Sequence, residues 1–284
     1  MTLRIPSDTQ KGRFDGYENS VRLHTELTQK EHVEFEGNFH IMTMLCHLKE
    51  NIEEYMIHPY VLSHNFHSSL MLFLFQNTML ACAFLSILQN VSGEYSAFED
   101  SFAVMLVKFP CSVALHLVLY PEVLVGMEMM KFANNQSELF CKYGSEISYT
   151  LGMLQFLTAV FCELINVYML TFQDSVANSI VNFVTLKVIM ALPRMYYLAL
   201  QDNPLKEVTE KKLKLINTGP RALASRTLFH QIARIFYKIF RAVYVSVIFY
   251  FIPFGVLYVS FYMTTVKNQE SGEVAAAHGA HGGH

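Results

Sequence analysis

Two long uncharged apolar stretches dominate the hydropathy pattern of the chain. They cover 68–89 and 242–263, and neither contains Asp, Glu, Lys or Arg. A helix needs about 20 apolar residues to cross the hydrocarbon core of a bilayer. A surface helix of a soluble protein would carry a polar stripe with a period of 3.6 residues, and neither stretch has one. Both stretches are therefore predicted to be membrane-spanning helices.

Three further apolar stretches, 102–130, 147–173 and 175–200, carry three, one and two charges respectively. A charge at the centre of a spanning helix costs about 2.5–3.5 kcal/mol on insertion scales, which neighbouring Leu, Ile, Phe and Val residues offset. These stretches are predicted to span as well; the alternative is that one or two of them are interfacial or re-entrant. The pattern thus predicts an all-α, polytopic transmembrane helical bundle of about five spans within 67–263.

The distribution of positive charge supports this threading. One side of the membrane receives 1–66, 131–146 and 202–241, which hold 6, 2 and 9 Lys and Arg residues, or 17 of the 21 in the chain. Lys and Arg concentrate in the loops on the cytosol-like or matrix-like side of a membrane. The N-terminus is therefore predicted on that positive side and the C-terminus on the opposite side.

The polar segments around the spans have distinct characters. The N-terminal region, 1–66, is acidic and rich in His, and within it 39–56 has the apolar spacing of an amphipathic helix that ends before Pro59. This helix is expected to have a packing role, and the alternative is a helix that lies against the membrane or a partner for a more specific purpose. The second half of the basic loop 202–241 is expected to be a juxtamembrane helix, and 264–284 is a tail rich in His, Gly and Ala.

The composition narrows the class of protein further. Of the 284 residues, 52% are hydrophobic and 16% are charged, against about 25% charged in an average soluble domain. The mean hydropathy is +0.26. The net charge of -3 argues against a nucleic-acid partner. The five Cys residues form no C-x-x-C motif, so neither a zinc site nor a redox site is indicated.

The most specific site hypothesis concerns two opposite charges inside the third and fourth spans. A tight turn at 173–175 joins these spans, and Glu163 precedes it by about as many residues as Lys187 follows it. With a rise of 1.5 Å per residue, both lie about 16–20 Å from the turn. A lone charge at this depth is costly, so a Glu163–Lys187 pair is predicted, or one completed by Asn166. Three roles stay open: a structural staple, a proton or ion relay, and a lipid or quinone contact.

Cations near the ends of the spans are expected to contact lipid headgroups. Arg194 lies about 30 Å from the turn, close to the opposite interface, where a long side chain reaches out of the hydrocarbon. Lys108 stands near the start of the second span. Basic residues before the last span suit an anionic headgroup layer, unless they only fix topology. These residues are Arg234, Lys238 and Arg241.

The motifs argue against an enzyme. No P-loop, G-x-G-x-x-G, G-x-S-x-G or H-E-x-x-H pattern occurs. The tail residues His278, His281 and His284 have a spacing that zinc or copper accepts, but the intervening Gly residues provide no rigid frame. No metal and no cofactor is predicted, apart from structural phospholipids.

The stretch CELINVYMLTFQDSVANSIVNFVTLKVIMALPRMYYLAL, at 162–200, resembles uncharacterised multi-pass membrane proteins of ciliates and related alveolates. The resemblance covers this hairpin and, more loosely, the first span, and it carries over no functional residue. It implies a lineage-specific subunit of a mitochondrial membrane complex.

The expected function is therefore an accessory or scaffold subunit of a large membrane complex, such as a respiratory-chain assembly of the mitochondrial inner membrane. Its expected partners are other membrane subunits and anionic phospholipid. The alternative is an ion channel or transporter subunit that uses the Glu163/Lys187 pair.

Overall fold

The computed structural model describes most of the apolar part of the chain. The described residues are 37–91, 102–172, 175–200, 203–210, 228–259 and 261–262. Apart from short 3₁₀ turns, the helices are, in chain order, α1 (Phe39–Cys46), α2 (Lys49–Glu54), α3 (Pro59–Val91), α4 (Phe102–Asn135), α5 (Gly144–Thr171), α6 (Val176–Met190), α7 (Leu192–Ala199), α8 (Glu207–Glu210) and α9 (Leu228–Val259).

The described residues confirm the predicted all-α class. They contain no strand, only an isolated antiparallel bridge between Leu48 and Phe140. The helices α3, α4, α5 and α9 are each long and apolar enough to cross a membrane. Helices α6 and α7 meet at a bend of 49° and count together as a fifth, broken span. Four or five candidate spans thus match the predicted number, while insertion into a bilayer stays a prediction.

The bend between α6 and α7 has a local chemical cause. Pro193 stands in the first turn of α7, so it has no N–H to donate to the carbonyl groups of α6. Ala191 ends α6 and its N–H still bonds to the carbonyls of Lys187 and Val188. The hydrogen-bond ladder therefore stops at this point, and α7 starts in a new direction.

The N-terminal helix differs from its prediction in both bounds and environment. Instead of one amphipathic helix over 39–56, the structure has two short helices, and Pro59 begins α3 rather than closing the segment. All eight residues of α1 are buried, because this helix packs against α3, α5, α7 and α8. The segment therefore packs inside the bundle, in line with the expected packing role, and does not lie on its surface.

The last candidate span also begins earlier than predicted. Helix α9 starts at Leu228, so the second half of the predicted loop 202–241 is helical and joins the span without a break. A π-helical turn, Tyr244–Ile248, interrupts the α-helical pattern near its middle. The juxtamembrane helix expected here is therefore the first part of the span itself.

The helices alternate in direction, as successive spans require. At the first end of the bundle, Cys141 N donates to His47 O, and Ser145 Oγ at the start of α5 contacts His230 Nε2 at the start of α9 over 3.1 Å. At the second end, Lys108 near the start of α4 contacts Thr171 O at the end of α5. Successive connections between the long helices therefore lie at alternate ends of the bundle.

Two glycines bring α4 and α5 into backbone contact. A Cβ added at Gly126 would lie 2.8 Å from Phe156 N and 2.9 Å from Gly152 O. A Cβ added at Gly152 would lie 2.8 Å from Met129 Cβ and 2.9 Å from Gly126 O. Small residues at such crossings allow helices in membranes to approach closely. The two glycines therefore set the distance between the two most extensively packed helices.

We predict that Gly126→Ala lowers the free energy of unfolding by about 1–3 kcal/mol relative to Gly255→Ala, the typical cost of overpacking. Alanine improves helix propensity at both positions, so the comparison cancels that gain. The contact at the control position is the milder of the two, because the nearest atom to the added Cβ is a Val167 methyl at 3.2 Å rather than a backbone atom. Denaturation of the detergent-purified protein, followed by circular dichroism, measures the difference. Equal stability of the two variants would contradict the close crossing.

Candidate functional site

A buried ion-pairing contact joins α4 to α5. His116 Nδ1 lies 3.1 Å from Glu163 Oε1, and the two side chains are 5% and 1% exposed. With an ionised carboxylate as acceptor, the imidazole donates its Nδ1–H across the helix interface. Ionisable residues inside a membrane-spanning bundle are rare and mark functional or structural sites. The pair is therefore the centre of the candidate site.

Further polar residues extend this contact into a column along the two helices. Lys108 and Ser112 precede His116 by eight and four residues on α4, so the three share one helix face. Asn166 follows Glu163 by three residues on α5 and lies on the same buried face. All of these side chains are buried. These residues form a polar strip along the α4–α5 contact, and a second polar contact between the two helices is the hydrogen bond from Gln155 Nε2 to Glu122 Oε2 over 2.7 Å.

Helix α9 closes the site from a third direction. The Phe249 ring packs against the His116 ring, with 5.2 Å between centroids, and against Tyr120 at the same distance. Tyr244, buried at the start of the π-helical turn, lies beside Glu163. Single π-turns within α-helices occur frequently at functional sites. The turn places both aromatic rings of α9 over the pair.

Several polar atoms of the site have no hydrogen-bond partner within 3.5 Å among the described residues. These atoms are His116 Nε2, Glu163 Oε2, Asn166 Oδ1, Ser112 Oγ and Tyr244 Oη, and the Tyr244 hydroxyl lies beside Glu163. A buried polar group without a partner costs about 1–3 kcal/mol. The site therefore has spare donor and acceptor capacity, which a proton, a water molecule or a small cation would use.

The predicted partner of Glu163 is corrected from Lys187 to His116. Lys187 lies exposed on α6, whereas the neighbouring Leu186 and Ile189 face the core. Counting residues from a turn gives the depth of a side chain but not the side of the helix on which it stands. The prediction matched the depths of the two charges and left their directions undetermined. Asn166 does share the buried face with Glu163, as expected.

The predicted headgroup contact of Lys108 is also wrong. The side chain is fully buried, and Nζ donates to Thr171 O over 3.4 Å. Thr171 ends α5, where the helix dipole places partial negative charge that a cation stabilises. Lys108 thus points into the bundle at its second end. The sequence did not indicate this inward direction, since a Lys near a helix end usually reaches outward.

The other predicted contact residues keep their expected exposure or fall outside the structure. Lys238, Arg241 and Arg194 are exposed and Arg234 is partly buried, and their contacts with headgroups stay predictions. The weak metal candidates His278, His281 and His284 lie outside the described residues. Within the described ranges, no group of three or more His, Cys, Asp or Glu residues has the geometry to hold a metal ion.

Helix α1 contributes a second set of buried polar groups that the pattern of the sequence did not indicate. His40 Nδ1 bonds to Ser69 Oγ of α3, and burial lowers the pKa of His40 to about 4. Burial also lowers the pKa of His47, whose Nδ1 donates to Thr43 O over 2.7 Å. Both rings are therefore neutral at neutral pH. Burial raises the pKa of Cys46 to about 12, which keeps its thiol protonated.

Comparison with protein-family models, with curated proteins and with solved structures finds no match to this chain. The fold and the site define its class directly: a helical bundle with four or five candidate membrane spans and a buried His–Glu pair between two of them.

We predict that His116→Leu lowers the free energy of unfolding by about 3–5 kcal/mol, because it leaves the Glu163 carboxylate buried without its partner. Replacing both members, as His116→Leu with Glu163→Leu, should recover most of this loss, since no charge then remains. Thermal and chemical unfolding of the detergent-purified variants measures both effects.

The matched control is Lys187→Met, which removes an exposed charge from α6. Its effect should stay within about 0.5 kcal/mol, as is usual for exposed positions. If Lys187→Met destabilised the protein as much as His116→Leu, the assignment of the pair would be wrong.

Proposed function

We propose that this chain is an integral membrane subunit with a structural, non-catalytic role in a larger membrane assembly. The main support is an exposed aromatic face on α9. Tyr250, Phe254 and Tyr258 recur at intervals of four residues, so they share one side of the helix, and each is at least 56% exposed. One edge of this face contacts α4, where the Phe254 and Phe109 ring centroids are 5.6 Å apart. The rest of the aromatic surface is exposed.

The aromatic face suits a protein neighbour better than a lipid boundary. Aromatic residues are enriched at protein interfaces and contribute large areas of rigid surface. An interfacial aromatic belt would hold its side chains at one membrane level. Here they extend over eight residues, or about 12 Å of helix. A partner helix packed along α9 explains this length.

The position of α9 in the bundle fits the same proposal. Only 17% of its most apolar window is buried, against 56% for α5. Helix α5 is therefore the centre of the bundle, and α9 is a peripheral helix with much of its surface available. The buried pair between α4 and α5 acts in this proposal as a staple that keeps the central helices aligned.

The setting of this subunit rests on the sequence. The resemblance of 162–200 to alveolate membrane proteins supports the mitochondrial inner membrane and a respiratory-chain supercomplex. The charge distribution supports an N-terminus on the matrix side and a C-terminus opposite. Exposed Arg194, Lys238 and Arg241 supply contacts for anionic phospholipid in the same proposal.

We predict that the chain migrates with a large assembly after mild detergent extraction from its native membrane. The double change Phe254→Leu and Tyr258→Leu should at least halve the share of the chain in that assembly, because it removes two aromatic contacts. Native electrophoresis with quantitative immunodetection measures the share. Phe75→Leu, which changes an exposed aromatic residue of α3, is the control and should leave it unchanged. A stable monomer or small homo-oligomer in the wild type would contradict the proposal.

A second function, proton or cation transfer at the His116–Glu163 pair, is favoured by the unpartnered atoms of this site. The His116–Glu163 pair replaces the predicted Glu163/Lys187 pair as the basis of a transport role. In liposomes with an internal pH or cation indicator, the purified chain should then conduct. Glu163→Gln should abolish that flux, and Lys187→Met should preserve it. If the chain assembles but no Glu163-dependent flux is measured, only the structural role remains.

A further inference from the structure

A cavity of about 460 Å³ lies at the first end of the bundle, where the start of α3 faces the end of α7. Its walls are mainly aromatic and aliphatic. They include Phe39, Tyr55, Ile57, Val61, Tyr196 and Leu205. Ligand sites typically have volumes of about 300–1,000 Å³ and largely apolar walls with a few placed polar groups. The cavity therefore has the size and lining of a small-molecule site.

The polar groups of the cavity include hydrogen-bond donors. Asn65 lines the cavity and is 6% exposed. Its side chain lies beside the Cys46 thiol, a weak acceptor, and its Nδ2 has no nitrogen or oxygen partner within 3.5 Å among the described residues. His58 accepts the Tyr60 N–H at Nδ1 over 3.2 Å. In a neutral imidazole the proton then resides on Nε2, which is a donor. An acceptor oxygen on a ligand would satisfy these groups.

The lining contains no permanently charged side chain. Neither Asp, Glu, Lys nor Arg is among the described residues that form the cavity, whose titratable imidazoles are His58 and His64. A phosphate group would therefore enter without a permanent cation to balance it, which is costly in an apolar site. Uncharged carbonyl oxygens accept the same N–H donors without this cost. The donors and the lack of a permanent charge together favour a neutral, oxygen-bearing head.

The place of the cavity relative to the candidate spans points to a membrane molecule. Val61, Asn65 and Ser68 belong to the first turns of α3, within the candidate span that begins at Pro59. On the other side, Tyr196 and Leu200 end the broken span of α6 and α7. The cavity thus lies at the level where polar heads meet acyl chains.

We propose that this cavity binds the carbonyl-bearing head of an uncharged membrane lipid. Two sources offer this chemistry, the ester groups of a neutral glyceride and the ring carbonyls of a quinone. The apolar walls hold the body of the head group, and Asn65 Nδ2 donates to a carbonyl oxygen.

The test titrates the full-length, detergent-purified chain with dioleoylglycerol and, in a separate series, with decylubiquinone, and follows binding by native mass spectrometry. One of the two probes should bind saturably with one molecule per chain, and this identifies the source. Palmitoyl-oleoyl-phosphatidylglycerol serves as the anionic comparison and should bind at least tenfold more weakly at this site.

Three variants connect binding to the cavity. Ser68→Phe places a ring in the cavity and should weaken binding at least tenfold. Asn65→Asp keeps the size of the side chain but removes the donor, and it should weaken binding about five- to tenfold. Met79→Phe, at an exposed position on the same helix and outside the lining, should bind as the wild type does. Thermal melting followed by circular dichroism shows which variants fold, and only folded variants are compared.

The proposal is overturned if neither neutral probe binds the wild type, or if folded Ser68→Phe and Asn65→Asp both bind as tightly as the wild type. Preferential binding of phosphatidylglycerol that these variants reduce would also overturn it, because the site would then select an anion.

Discussion

The structure depends on one constraint, the cost of keeping ionisable groups inside an apolar bundle. Glu163 is almost completely buried on the central helix, and hydrocarbon around the bundle would offer it no water. His116, on α4, supplies the hydrogen bond to Glu163. Any arrangement of α4 and α5 that separates these two side chains leaves a buried carboxylate alone. The pair therefore restricts the rotation of both helices about their axes.

The close crossing of α4 and α5 makes this pairing possible. Backbone atoms at Gly126 and Gly152 approach so closely that a Cβ on either residue would collide with the opposite helix. This distance lets the short side chains of His116 and Glu163 meet directly. Farther toward the second end, Lys108 contacts the terminal carbonyl of α5 at Thr171. Packing and electrostatics thus favour the same register of the two helices.

At the first end of the bundle, buried ionisable side chains are kept neutral. Helix α1 is buried on all sides, yet it carries His40 and His47. Burial lowers the pKa of both rings, and local acceptors or hydroxyl groups satisfy their Nδ1 atoms. These histidines remain neutral and pack as polar core residues. Ionisable side chains thus meet across two helices in the middle of the bundle, whereas at this end the histidines stay neutral.

Hydropathy predicted the helical class and the approximate number of candidate spans because long apolar stretches have few alternatives to a helix. It also predicted an embedded Glu163, and the side chain is buried. It did not predict the partner, since the side of a helix that a residue occupies depends on packing with distant segments. For the same reason the packing partners of α1 stayed open, because an apolar spacing of 3.6 residues fits both a membrane surface and a bundle interior. Pro193, by contrast, was a visible signal for the break between α6 and α7.

The central claim is that hydrocarbon surrounds these helices and that their connections alternate between two faces. Labelling with a membrane-impermeant maleimide in sealed vesicles tests it most directly, using single cysteines in an otherwise cysteine-free chain. Leu139→Cys at the first end and Ser175→Cys at the second should react from opposite sides. Leu74→Cys, exposed on the middle of α3, should react from neither side. Rapid labelling of Leu74→Cys, or reaction of both ends from one side, would contradict the account.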